Sequence, residues 1–170
     1  MIDLIVLAAM IYLTSRMSLV NDNLTTVLQI HEYRLITIIF MILTTIYLAY
    51  SFIRLFHQSV DGRRYDWLVI VSGLIMIVSI ICPYYENRHD LWSQIHVYGS
   101  LYGCMICLFF GLLLVKSYFL SGHSIERVMF LIVLMTMIII AVTIQCGGIS
   151  GLSEILTLLT MLLVLRIVST

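Results

Sequence analysis

Residues 82–103 read Cys82-Pro83-Tyr84-Tyr85-Glu86-Asn87-Arg88-His89-Asp90-Leu91-Trp92-Ser93-Gln94-Ile95-His96-Val97-Tyr98-Gly99-Ser100-Leu101-Tyr102-Gly103. The stretch holds the only proline of the chain and two histidines close to carboxylates or amides. Apolar runs long enough to cross a bilayer flank it on either side. Reading outward from here, the chain is predicted to be a membrane protein.

Composition points the same way. Of the 170 residues 62% are hydrophobic and only 11% charged, with a mean hydropathy of +1.10, which excludes an ordinary soluble domain. Nine Lys and Arg offset nine Asp and Glu, so there is no basic surface for nucleic acid and no acidic tail for a basic partner. One proline and nine glycines leave no flexible linker, and residues 1–170 are predicted to form a single transmembrane helical domain. The opening Met1-Ile2-Asp3-Leu4-Ile5 lacks the positive region of a signal peptide and reads as a retained first span.

Matching apolar runs to the roughly 20 residues needed to cross a hydrocarbon core predicts an all-α integral membrane protein with six transmembrane helices. The spans fall at 2–20, 35–56, 67–83, 95–115, 128–145 and 152–168. Orientation follows from the basic residues. With both termini inside (N-in/C-in), Arg54, Arg63, Arg64, Lys116, Arg127 and Arg166 face the cytoplasm, against Arg16, Arg34 and Arg88 outside, six against three. In the first outward connection Leu24, Val27, Leu28 and Ile30 recur at near-helical spacing, which predicts a short interfacial helix.

This orientation gathers His31, Glu32 and Arg34, then Glu86, Arg88, His89, Asp90 and His96, and finally Glu154 at one outer mouth; these are the candidate ligand-binding residues. The inner polar residues, His57, Asp61, Arg63, Arg64 and Asp66 among them, read as interface anchors. Imidazole and carboxylate are zinc-binding groups, so a zinc site is one reading of the outer cluster, although no cofactor is predicted outright. Its spacing is not that of a metal motif, because His89 and His96 on one helix would stand about 10 Å apart. The plainer reading is a set of polar side chains at headgroup level. His96, at the entrance to the fourth span, needs a named partner. That partner is expected to be Glu32 or Glu154, or else a neighbouring backbone carbonyl.

Cys104 and Cys107 lie mid-span among apolar neighbours, where thiols are inert packing groups. Cys82 and Cys146 each end a span on the outer side and could form a disulfide in an oxidising compartment. Gly99 and Gly103, followed by Gly111, form a small-residue stripe that lets another helix approach, within one chain or between two copies of a homo-oligomer. Haem is disfavoured because no histidine lies in mid-span, and a pore because the span interiors carry almost no charge.

Six spans, a third span ending in Cys82-Pro83, His89 and His96 at the entrance to the fourth, and then Gly99 and Gly103 give a layout that resembles small bacterial six-span membrane proteins of unknown function. That group is similar in layout to the damage-regulated autophagy modulator group. The resemblance implies a lipid-related or scaffolding role in a bacterial cytoplasmic membrane.

Two functions are therefore expected to compete. One is a membrane protein that binds a lipid headgroup, small ligand or membrane-protein partner at its outer mouth. The other is a membrane-embedded, metal-dependent hydrolase or lipid-modifying enzyme in which His89 or His96 acts beside Glu32, Glu86 or Asp90. No nucleophile and no compact ligand triad stands out, so the sequence assigns no catalytic residue.

Overall fold

The computed structural model describes residues 2–16, 18, 24–82, 90–122, 126–146 and 150–168. Among these residues there are seven helices and no strand: α1 (Ile2–Thr14), α2 (Leu24–Gln29), α3 (His31–His57), α4 (Asp66–Ile81), α5 (Leu91–Leu120), α6 (Glu126–Gln145) and α7 (Gly151–Val168).

The helix ends have local causes. At the end of α1 the Thr14 hydroxyl donates to the Met10 carbonyl at 2.8 Å and Ser15 donates to Tyr12 at 2.7 Å. Such side-chain bonds compete with the helical ladder. Arg16 then lies over the Tyr12 ring, 4.7 Å from its centroid. The helix therefore stops at Thr14, short of the boundary at 20 expected from hydropathy. The predicted short helix is present as α2, with Leu24 and Val27 buried. Helix α3 begins at His31, four residues before the apolar run, with Glu32 in the first turn where a negative charge suits the helix dipole. Asp90 caps α5 by accepting from the Ser93 amide at 3.2 Å. At the other end of α5, Gly122 adopts a φ of +81°, a left-handed turn that a side chain would strain, and its amide bonds back to Phe119.

Three helices are long and apolar enough to cross a membrane: His31–His57, Val128–Gln145 and Gly151–Val168. The apolar stretches Asp3–Thr14, Asp66–Ile81 and Phe109–Leu120 are shorter. At 1.5 Å per residue, α1 with 13 residues and α4 with 16 reach about 20 and 24 Å, against about 30 Å of hydrocarbon. By this measure three of the six expected spans qualify, and a count of six is not supported.

The chain forms two compact units, Met1–Phe40 with Glu126–Val168, and Met41–Ile125. In the first unit α7 is the inner helix: 44% of its apolar window is buried, against 6% for α6. Its Leu158, Met161, Leu162 and Leu165 are buried, while Phe130 and Ile144 of α6 are 70% and 75% exposed, an apolar surface suited to a lipid environment. In the second unit α4 and α5 pack together. Phe52, Phe56, Tyr65 and Phe110 form a ring cluster there, with Phe56 fully buried and its centroid 5.2 Å from that of Tyr65.

Candidate functional site

In the second unit, α4 ends in a carbonyl that the helical ladder does not serve. The carbonyl of Ser79 would ordinarily accept from the amide four residues on, but that residue is Pro83, which has no N–H. The last intrahelical bond at this end runs from the Cys82 amide to Val78, at 3.1 Å. His96, one turn into α5 and 2% exposed, supplies the missing donor. Its Nδ1 lies 2.8 Å from the Ser79 carbonyl and 3.2 Å from that of Cys82. Both partners only accept, so Nδ1 carries the proton. In return the Ser79 hydroxyl donates to the His96 carbonyl at 2.7 Å. The two helices are thus tied in both directions. The Nδ1 partners are the backbone carbonyls of the plainer reading; the two expected carboxylates belong to the first unit, where Glu32 is exposed and Glu154 bonds a backbone amide.

The glycine stripe fits this joint. A Cβ at Gly99 would stand 2.7 Å from the Ser79 Cβ, and one at Gly103 would collide with the Met76 thioether. Both glycines therefore sit at the α4–α5 contact, within one chain.

In the first unit Glu154, from the first turn of α7, accepts from the Leu24 amide at 2.8 Å through Oε2. A helix start leaves such amides without partners, so Glu154 anchors α2 to α7. Ser150 and Ser153 form a reciprocal cap at the start of α7, each hydroxyl meeting the other's amide, at 2.9 and 3.4 Å. His31, Glu32 and Arg34 share the opening turn of α3; all three are exposed, with no side-chain partner among the described residues. Glu86, Arg88 and His89 lie outside the described residues. Cys82, buried in the second unit, and Cys146, half-buried in the first, carry free thiols.

Sequence reasoning missed a polar network at the other end of the second unit. Ser117 of α5, fully buried, donates to the Asp61 carboxylate and accepts from Ser59 at 3.1 Å. The other Asp61 oxygen is 3.7 Å from Arg64, and His57 meets Asp66 at 2.8 Å. Asp61 and Ser117 are 56 residues apart, so no local pattern could have joined them. The cue that was available is that a serine beside Lys116 in an apolar helix needs a partner.

Chemically, the described groups hold helix ends together. Asp90, His96 and Glu154 bond to backbone, which leaves His31, Glu32 and Arg34 as the accessible polar members of the expected mouth among the described residues. Among the described residues no three of His, Cys, Asp or Glu are placed to hold a metal ion together. The chain matches no family model, no curated protein and no solved structure.

Proposed function

We propose that this chain is a multi-pass protein of a bacterial cytoplasmic membrane, with six crossings and both termini inside, that binds a zwitterionic lipid headgroup at its outer mouth. The observation that carries the reading is the opening turn of α3, where His31, Glu32 and Arg34 are exposed and unpartnered among the described residues, directly before an apolar helix long enough to cross. His31 and Arg34 are three apart, hence on one face, and offer donors to a phosphate; Glu32 offers a carboxylate to the ammonium. The two helices that fall short by length cross with their ends carried by interfacial residues and a locally thinned bilayer, at a modest cost. The resemblance to small six-span bacterial proteins, if it holds, implies a lipid-related role as well.

The enzymatic alternative draws on Glu86 and His89, outside the described residues, and on His96, whose Nδ1 is engaged by two carbonyls. Binding therefore stands ahead of catalysis. The test is native mass spectrometry of the purified protein with phosphatidylethanolamine and phosphatidylcholine. Retained phosphatidylethanolamine that is lost in His31→Ala/Arg34→Ala supports the reading; equal retention in parent and variant overturns it.

A further inference from the structure

At the α3–α4 connection the second unit is basic in an unbalanced way. Arg54, Arg63, Arg64 and Lys116 are all exposed, with the Arg64 side chain 72% accessible. The two acids at this end are both engaged: Asp61 by Ser117 and, at 3.7 Å, by Arg64, and Asp66 by His57. Four cations against two acids leave an excess of two positive charges on an otherwise neutral chain. Trp67, 64% exposed, stands beside them in the first turn of α4, the position of an aromatic residue at a membrane interface.

An apolar groove between α3, α4 and α5 starts next to this basic end. Phe52, Val69 and Phe110 line its near part; Gly73, Met76 and Gly103 line the part further along. From Phe110 to Gly103 it follows α5 for about 10 Å. Its polar lining is closed to a ligand, since Thr45 donates to Met41 at 2.8 Å and Ser72 to Leu68 at 2.6 Å. Hydrocarbon is what such walls accept. Val69 lies in the first turn of α4, five residues after Arg64, so the chain leads directly from the basic connection to the groove wall.

We infer that this end of the second unit binds an anionic phospholipid, with its phosphate and headgroup on Arg63 and Arg64, supported by Arg54 and Lys116, and one acyl chain in the groove. The site is separate from the headgroup site on α3 and differs from it in the lipid charge it selects. A basic residue near an anionic lipid surface contributes about fivefold in affinity, so reversing two of them should remove tenfold or more.

Trp67 and Trp92 are the only tryptophans, so Trp92→Phe leaves Trp67 as the sole reporter. The full chain with that substitution is reconstituted in phosphatidylcholine bilayers containing phosphatidylglycerol or phosphatidylcholine with brominated acyl chains, and quenching of Trp67 is measured. Brominated phosphatidylglycerol should quench at about tenfold lower mole fraction, and Arg63→Glu/Arg64→Glu should abolish the preference. Both arginines are exposed, and the milder Arg63→Gln/Arg64→Gln, expected to lose part of the preference, covers any failure of the reversed pair to fold. Gly73→Leu, which narrows the groove without altering charge, should also weaken the preference. Equal quenching by the two lipids, or a preference indifferent to the arginines, would overturn the headgroup assignment. A preference lost with the arginines but unchanged by Gly73→Leu would overturn the acyl groove. Phosphatidylethanolamine binding through His31 and Arg34 can fail or succeed independently of every one of these outcomes.

Discussion

If His96 replaces the hydrogen-bond donor that Pro83 lacks, the effects of changing the two residues must be coupled. His96→Ala leaves the buried Ser79 carbonyl without its donor at 2.8 Å and removes the longer contact to Cys82 at 3.2 Å. An orphaned buried acceptor costs about 1–3 kcal/mol and the weaker contact about 1, so a loss of about 2–4 kcal/mol is expected. Pro83→Ala restores an N–H four residues after Ser79, where an extended α4 can use it. In that background His96→Ala should cost about 1–2 kcal/mol less, a coupling within the range of residues that share a partner. The change in unfolded-chain entropy on replacing proline appears in both arms of the cycle and cancels. Reversible unfolding of the four proteins in mixed micelles, by titration with a denaturing detergent, measures the cycle. Additivity to within about 0.5 kcal/mol would refute the account of the joint.

The glycine stripe should respond unequally. Gly99→Ala meets the short Ser79 side chain, which cannot retreat without losing its bond to the His96 carbonyl, and should destabilise by about 1–3 kcal/mol. Gly103→Ala meets a flexible methionine and should stay within about 1 kcal/mol of the parent; the same unfolding assay ranks the two. Glu154→Ala should free the Leu24 amide, at a cost of about 0.5–2 kcal/mol as for a lost helix cap, with Glu154→Gln intermediate. Hydrogen exchange at residues 24–29 reads this out, and unchanged protection there would show that the contact is not what holds α2. Asp61→Ala should leave the Ser117 hydroxyl buried without its acceptor and lower stability by about 1–3 kcal/mol, whereas Arg63→Ala, at an exposed site, should change it little.

Much of the helical layout is legible in the apolar runs. α4, α6 and α7 start within two residues of their expected positions, because there the run and the helix coincide. Elsewhere they do not. Hydropathy counts the part of a helix suited to hydrocarbon, while helices continue through polar turns whose amides still need partners. Helix α3 thus reaches back to His31 and α5 extends on to Leu120. In α1 the reverse holds, and Thr14, Ser15 and Arg16 end the helix inside an apolar stretch. The mouth was only partly legible. Reading residues singly makes His96 a suspect and Pro83 a terminator; reading Ser79 and Pro83 together, four apart, exposes a carbonyl that needs an outside donor. Glu154 and Leu24 are 130 residues apart, a pairing that only the fold creates.

Everything assigned to a membrane face depends on α3 crossing, with His31 and the Asp61 connection on opposite sides. Single cysteines replacing His31, Asp61 or Ser121, in a background with Cys82, Cys104, Cys107 and Cys146 changed to serine, can be labelled with an impermeant maleimide on intact cells and again after permeabilisation. The account predicts that His31→Cys reacts from outside, whereas Asp61→Cys and Ser121→Cys react only once the membrane is opened. Labelling of Asp61→Cys on intact cells, or of His31→Cys and Asp61→Cys from the same side, would contradict it.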